Sequence, residues 1–211
     1  MLFRSNGLSG PAGLFNYVSV FAEKTNEAGY IFVAPDSFVR LNRPHGCPGG
    51  KLNLSARNID WATIDQMRLE EIYYSVSQVK HAPWAADVFL FGQSEGGKAV
   101  TGYEAADVNG IVVSGWGCPP RDDSWTLTAR PIKAPTSVPV LNIKSRKDEV
   151  DPRPDDCGSS VWGRPGGSKV INPPYGHWFM DHAEYRQEVI LFFGRNQKSS
   201  AQSQPKQNPT Q

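Results

Sequence analysis

Short apolar runs alternate with longer segments of helical spacing along most of this chain, and this alternation limits the possible folds more than any other feature. The runs stand at residues 31–35, 88–91, 110–117, 138–145 and 169–174. They do not alternate between apolar and polar residues, as a strand with one face in water would. We therefore predict a mostly parallel sheet with helices on both faces, which is an α/β fold.

Helices are predicted between these runs, from apolar residues that recur every three or four positions. The first follows Pro11 and stops near Gly29, because glycine commonly ends a helix. Two more precede and follow the central apolar run, over residues 59–80 and 95–105. A closing amphipathic helix is expected over residues 183–194. Helices thus separate the strands, as the crossovers of a parallel sheet require.

The length and charge of the chain limit its domain count and its partners. The 211 residues fit one domain, which we place at residues 1–195, before a polar tail over 196–211 that we expect to be disordered. The formal net charge of +1 lacks the basic excess of a nucleic-acid-binding protein. No apolar run approaches the length that crosses a membrane. Neither nucleic acid nor a membrane is therefore an expected partner.

The segment VFLFGQSEGGKAV, residues 88–100, fits two different motifs. GQSEG matches G-x-S-x-G, the turn that presents a serine nucleophile between a strand and a helix. GQSEGGK matches G-x-x-x-x-G-K, the loop that binds nucleotide phosphates. The phosphate loop needs a serine or threonine directly after its lysine to bind magnesium, but Ala99 follows Lys98. The nucleophile turn is therefore the favoured interpretation.

A serine nucleophile needs a histidine base and an acid that orients the histidine. Ser94, Asp148 and His177 each follow an apolar run, in the chain order that accompanies a G-x-S-x-G turn. We predict that Ser94 attacks the substrate, that His177 accepts the serine proton, and that Asp148 orients the imidazole. Asp151 is the alternative acid and His182 is the alternative histidine.

Six segments of the chain together carry a family resemblance: YIFVAPDSF, MRLEEIYYSV, the turn GQSEGG, GWGCPP, the acid loop KDEVDP and the histidine loop YGHWFMDH. They resemble the dienelactone-hydrolase-like branch of the α/β-hydrolase superfamily over residues 6–194, which implies the α/β-hydrolase fold. Dienelactone hydrolases use a cysteine nucleophile, so Ser94 makes the chain resemble the serine esterases of that branch. The family has strands before its first loop, and we expect those N-terminal strands to be missing here.

The turn and the resemblance together predict an oxyanion hole and a substrate pocket. The backbone N–H of the residue after the nucleophile, Glu95, is one expected donor. The stretch SNGLSG resembles the family's H-G-x-x-G, which implies Leu8 as the second donor, with Gly7 as the alternative. Trp116 and Trp178 stand next to the predicted loops, where they could line an apolar acyl pocket or pack as ordinary core residues.

The expected reaction is hydrolysis of a small-molecule carboxylic ester through an acyl-enzyme intermediate, without a metal or an organic cofactor. Amides, thioesters and lactones are alternative substrates for the same chemistry. A non-catalytic binding protein of this fold is an alternative of a different class. The sequence leaves the oligomeric state open. The cytoplasm is the default location, and the periplasm or secretion is the alternative if a signal was lost with the N-terminus.

Three cysteines, Cys47, Cys118 and Cys157, show no C-x-x-C spacing and so predict no structural zinc site. We expect three free thiols. The alternative is a disulfide between Cys118 and Cys157 with Cys47 left over, which would require an oxidising compartment.

Overall fold

The computed structural model describes residues 2–3, 11–35, 40–42, 60–118, 131–152 and 156–198. Five parallel strands form one sheet, in which spatial order follows chain order from β1 to β5. They are β1 (Leu2–Phe3), β2 (Phe89–Gln93), β3 (Gly110–Ser114), β4 (Val140–Ile143) and β5 (Lys169–Ile171). The parallel sheet that the continuous apolar runs predicted is therefore confirmed.

Helices cover both faces of this sheet, as predicted. The helices are α1 (Pro11–Glu27), α2 (Trp61–His81), α3 (Glu95–Thr101), the short α4 (Gly158–Val161) and α5 (Ala183–Arg195), with a 3-10 turn at Phe179–Asp181. Side chains of α2, α3 and α4 share one core cluster with alternate residues of the strands. Side chains of α1 and α5 share a second cluster with the residues between them. The sheet is therefore buried from both sides.

The two clusters explain why the strands are apolar throughout. Leu90 and Ile111 are fully buried on the α2 face, while Val112 and Leu141 are fully buried on the α5 face. Burying each such side chain stabilises the fold by roughly 1.5–3 kcal/mol. Because neighbouring residues of a strand point to opposite faces, both faces need apolar residues.

The register of the central strands brings three loops together at one edge of the sheet. Gln93 is aligned with Ser114 across β2 and β3, and Ser114 is aligned with Ile143 across β3 and β4. These strands therefore end at the same level. The residues that follow them, Ser94 and Lys144 among them, lie at this carboxyl edge, where α/β proteins place their ligands.

The strand predicted at residues 31–35 is absent, since this segment forms no ladder with the sheet. The side chain of Ile31 is 60% exposed, whereas Phe32 packs edge-on against Phe21 of α1, with ring centroids 6.0 Å apart. An apolar, β-branched composition favours a strand only where a neighbouring strand is available for pairing. Here the segment packs its aromatic residue against α1 instead.

A disulfide joins Cys118, in the loop after β3, to Cys157, at the start of α4. The expectation of three free thiols is therefore wrong for these two residues, and the alternative pairing is correct. The bond spans 39 residues in sequence, but β3 and β4 are neighbours, so their following loops approach each other. Asn142 of β4 reinforces this approach, because its side chain contacts both loops. Cys47 lies outside the described residues.

Asn196, the residue after α5, still packs against the rest of the domain. The Asn196 side chain donates to the carbonyl oxygens of Gly166 and Phe192 at 2.9 and 2.8 Å, so the packed domain extends past α5. The remainder of the predicted tail, from residue 199, lies outside the described residues. None of the described helices is long and apolar enough to cross a membrane. Within the same described residues, no cluster of histidine, cysteine and acidic side chains could hold a metal ion.

Candidate active site

Ser94 lies in the one-residue turn between β2 and α3, with an unusual backbone conformation. Its φ is 58° and its ψ is −121°, a region that side-chain-bearing residues rarely occupy. The turn is held by backbone hydrogen bonds. The Ser94 N–H donates to the Ser114 carbonyl at 2.8 Å, and the Lys98 N–H donates to the Ser94 carbonyl at 3.0 Å. The half-buried Ser94 side chain is thereby placed at the carboxyl edge of the sheet.

Glycines permit this sharp turn because a side chain would collide with the backbone. A Cβ on Gly92 would lie 2.0 Å from the carbonyl oxygen of Gly96, so no larger residue fits there. A Cβ on Gly97 would lie 2.8 Å from the carbonyl oxygen of Ser114, so α3 packs directly on β3. The turn therefore requires glycine at Gly92, and Gly97 provides a second close approach, between α3 and β3.

The position of Lys98 does not fit a phosphate loop. Its side chain is buried, and its ammonium group lies 2.9 Å from a carboxylate oxygen of Asp65 in α2. The same ammonium group lies 4.9 Å from the ring centroid of Trp61. Since α3 already begins at Glu95, residues 95–97 form a helix where the motif needs a loop around an anion. Lys98 therefore links α3 to α2 through its ion pair with Asp65.

Glu95, the predicted oxyanion donor, is the first residue of α3, where backbone N–H groups lack partners within the helix. Its carboxylate is turned towards α2 and accepts a hydrogen bond from Nε of Arg68 at 3.0 Å. Arg68 is almost fully buried and also contacts Glu71 at 3.4 Å. The side chain thus anchors the start of α3, and the oxyanion role of the Glu95 N–H stays a prediction. Leu8 and Gly7 lie outside the described residues.

His177 and Asp148 form a direct side-chain pair. Nδ1 of His177 lies 2.8 and 2.9 Å from the two carboxylate oxygens of Asp148. Because an ionised carboxylate only accepts, Nδ1 carries the hydrogen, and Nε2 is the acceptor nitrogen of the neutral ring. Nε2 is buried and has no hydrogen-bond partner among the described residues, Ser94 included.

The loop after β3 places the His177 ring beside the Ser94 turn. A Cβ on Gly115 would lie 3.2 Å from Cε1 of His177, so the ring packs against this glycine. Gly115 directly follows Ser114, whose carbonyl accepts the Ser94 N–H. Its φ of 60° also favours glycine. The structure therefore brings the predicted serine and histidine to one site.

The carboxylate of Asp148 is buried and held in its charged form. Burial raises the pKa of this carboxyl, but the hydrogen bond and charge of His177, the Asp151 N–H and Lys144 outweigh burial and hold the pKa below its usual range. The N–H groups of Val150 and Asp151 donate to Oδ1 of Asp148 at 2.9 and 2.8 Å. Asp148 is thus fixed in place by its own loop.

Lys144, which the sequence interpretation missed, is a buried cation next to this acid. Its ammonium group lies 3.5 Å from a carboxylate oxygen of Asp148 and 3.6 Å from one of Asp151. It also donates to the Asp151 carbonyl. Asp151, the alternative acid, therefore contacts the lysine, whereas Asp148 contacts the histidine. A lysine at the end of an apolar strand is a signal that could have indicated this ion cluster.

His182, the alternative histidine, has a different environment. Its ring stacks on Tyr175, with centroids 3.6 Å apart, and its backbone precedes the first turn of α5. No hydrogen bond or ion pair joins its ring to a carboxylate among the described residues. Asp148 therefore contacts His177 and not His182, which instead occupies the N-cap position of α5.

The two predicted pocket tryptophans lie near the site, and neither of them lines the cavity beside α1, α5 and residues 84–89. Trp116 is 8% exposed and packs in the core cluster of the α2 face. Trp178 is half-buried and meets the His177 ring edge-on, with centroids 5.0 Å apart. The cavity, of about 210 Å³, lies at the other end of β2, between α1, α5 and residues 84–89. A role for these tryptophans in an acyl pocket stays a prediction.

Comparison with known proteins identifies the fold. No family model and no curated protein matches the chain. Among solved structures it is similar to a proposed hydrolase of the alpha/beta superfamily from Xanthomonas campestris pv. campestris, with a TM-score of 0.51 and 14% sequence identity. The match covers 92% of this chain and 96% of the other. At this identity the similarity concerns the fold alone, and the chain therefore has an α/β fold similar to that of an α/β-hydrolase superfamily protein.

Proposed function

We propose that this protein is a serine hydrolase that cleaves small carboxylic esters through an acyl-enzyme intermediate. The observation that carries the proposal is the strained backbone of Ser94, with φ at 58°, in a strand–helix turn next to a histidine paired with an aspartate. Strain of this kind persists where the surrounding structure enforces it, and it is concentrated at functional sites. A purely structural Gly-Ser turn would not require it.

The geometry supports a distinct role for each side chain. Ser94 Oγ attacks the ester carbonyl while Nε2 of His177 accepts its proton, because Nδ1 is engaged by Asp148. The tetrahedral intermediate then expels the alcohol, which takes the proton back from His177. A water molecule, deprotonated by His177, then attacks the acyl-enzyme, and the carboxylic acid leaves as Ser94 takes the proton back. Asp148 holds the ring orientation and stabilises the imidazolium that forms in each step.

The developing oxyanion needs backbone donors. The Glu95 N–H at the start of α3 suits this role, because the first N–H groups of a helix have no partner within it. The resemblance adds Leu8 as the second donor. The similar structure is itself a proposed hydrolase, which supports hydrolytic chemistry on this fold.

The test is hydrolysis of p-nitrophenyl acetate, butyrate and octanoate by the wild type, Ser94→Ala and Ser19→Ala. Ser19 is exposed on α1 and serves as a matched control. We expect hydrolysis by the wild type and by Ser19→Ala, and a loss of roughly 10³-fold or more in kcat for Ser94→Ala. The dependence on chain length would then measure the size of the acyl pocket.

A folded wild type that is as inactive as Ser94→Ala on all three esters would contradict the ester proposal. Matched thioester, lactone and amide substrates would then separate the other hydrolase activities from a binding protein. Covalent labelling of Ser94 by a fluorophosphonate, absent in Ser94→Ala, distinguishes an activated serine with another substrate from a serine that is not activated.

A further inference from the structure

His177 is held at its peptide group as well as at its ring. The side chains of three residues bind three different groups of this histidine. Asp148 binds ring Nδ1, Glu149 binds the backbone N–H, and Gln93 binds the backbone carbonyl. Only the first of these contacts belongs to the proposed triad.

Glu149 follows Asp148 directly, so one loop supplies two adjacent carboxylates to the same histidine. Oε2 of Glu149 accepts the His177 N–H at 3.0 Å. The same carboxylate lies over the preceding glycine, since a Cβ on Gly176 would be 2.4 Å from Oε2. Gly176 thus leaves the space through which Glu149 reaches the histidine backbone. Glu149 is exposed, so it restrains the loop that carries His177 without being part of the core.

Gln93 binds the other polar group of the histidine backbone, its carbonyl. It is the residue before Ser94, and its side chain is buried. Its Nε2 donates to the His177 carbonyl at 3.4 Å, and its Oε1 accepts the Ser114 hydroxyl. Gly115 makes room for this side chain, because a Cβ there would lie 2.6 Å from Nε2 of Gln93. The turn that presents the serine is therefore connected directly to the peptide of the histidine.

We propose that Glu149 and Gln93 are positioning residues that hold the His177 peptide, so that its ring meets both Asp148 and the Ser94 hydroxyl. The inference rests on the proposed function, because it gives these contacts a role in proton transfer. The reason is geometric. Asp148 limits the rotation of the ring, but the ring position also follows the backbone, and Glu149 and Gln93 bind the N–H and the carbonyl of that backbone. A displacement of about 1 Å in a reacting group can cost about a hundredfold in rate.

The experiment compares Glu149→Ala with Glu149→Gln, in which an oxygen that can accept the His177 N–H remains. We expect Glu149→Ala to lower kcat by roughly tenfold while KM changes by less than about twofold, because the contact orients a reacting group and does not touch substrate. Glu149→Gln should recover kcat to within about threefold of the wild type. Gln93→Met, which removes both polar atoms at similar size, should show the same kinetic pattern.

Lys147→Ala is the matched control, since Lys147 is exposed on the same loop and its side chain makes no recorded contact with the described residues. Unchanged kcat in Glu149→Ala, or a Glu149→Gln variant as slow as Glu149→Ala, would overturn the proposal. So would a Glu149→Ala variant that is defective only in KM.

Proton NMR of the His177 Nδ1–H, in the range downfield of the amides, gives a readout that does not depend on activity. The hydrogen bond to Asp148 should slow exchange of this proton in the wild type, and Glu149→Ala should broaden the resonance while Lys147→Ala leaves it unchanged. A wild type that lacks esterase activity but shows this difference would contradict the ester proposal and retain the positioning role. An identical, sharp resonance in Glu149→Ala would overturn the positioning role whatever the activity.

Discussion

The serine side and the histidine side of the candidate site are held by different kinds of contact. The turn at Ser94 is fixed by its own backbone, through two hydrogen bonds and the close contact of Gly92 with Gly96. His177 is instead fixed by side chains, namely Asp148, Glu149 and Gln93. The difference indicates that changes to the backbone of the serine turn should act mainly on stability, whereas changes to the side chains around His177 should act mainly on rate.

The largest expected effect is on rate, at the histidine side. Asp148→Asn should lower kcat by roughly 10³–10⁴-fold, because the amide cannot hold the imidazole tautomer or stabilise its cation. Asp151→Asn is the matched control, since Asp151 contacts Lys144 rather than the histidine. We expect it to lose less than about tenfold. Steady-state kinetics on the best ester would decide, and equal losses in the two variants would contradict the assignment of the acid.

The same substitution should change the dependence of stability on pH. The pKa of Asp148 is held below its usual range, so its carboxylate stabilises the fold above the unfolded pKa of about 4, and this contribution is lost as the pH falls through the lower folded value. Asp148→Asn removes the contribution. The difference in free energy of unfolding between wild type and variant should therefore be constant near neutrality and shrink below about pH 4. Urea titrations at several pH values would measure it.

On the serine side the largest effect should be on stability. Gly92→Ala would place a Cβ 2.0 Å from a backbone oxygen that cannot rotate away. We expect a loss of roughly 3–5 kcal/mol in the free energy of unfolding, the range of the most damaging single substitutions. Gly194→Ala is the control, because nothing lies within 4 Å of its Cβ position in α5. It should be neutral or stabilise by up to about 1 kcal/mol. A stable Gly92→Ala variant would contradict the backbone account of this turn.

This contrast also explains which parts of the site were predictable from the sequence. The serine turn was predictable, because backbone sterics require glycine at Gly92 and the turn is therefore visible as a short local motif. Asp148 and His177 were found from their order after apolar runs. Glu149 and Gln93 were not, because their contacts with His177 join residues 28 and 84 positions apart that only the sheet register brings together. The strand expected at residues 31–35 failed for the same reason, since pairing is not a local property. Lys144 was missed for a different reason: its acidic partners are close in sequence, but a lysine at a strand end does not by itself show that its side chain is buried.

Removing the disulfide would test how far the serine side and the histidine side of the site depend on each other. It joins the loop after β3, which carries Gly115 beside the His177 ring, to the end of the acid loop at Cys157. Replacing Cys118 and Cys157 together by alanine should lower the free energy of unfolding by about 2–4 kcal/mol. Cys47→Ser, which leaves the bond intact, is the control.

The double replacement should lower kcat less than Asp148→Asn does, because the direct contacts of His177 remain. Mass spectrometry with and without reductant would first establish the bond in the purified protein. Unchanged stability in the double variant, with the bond present in the wild type, would show that the two loops are held by the sheet and Asn142 alone.

The smallest effect should come from His182, the histidine that sequence order alone leaves as an alternative. Its ring stacks on Tyr175 at the half-exposed start of α5, so His182→Ala should cost no more than about 1 kcal/mol of stability. Its kcat should stay within about threefold of the wild type, whereas His177→Ala should lose at least about 10³-fold. A loss in His182→Ala as large as that in His177→Ala would move the base to the other ring. A small loss in His182→Ala would instead support His177 as the base. The buried contact with Asp148 would then be the feature that distinguishes His177 from His182, although the two lie close together in the chain.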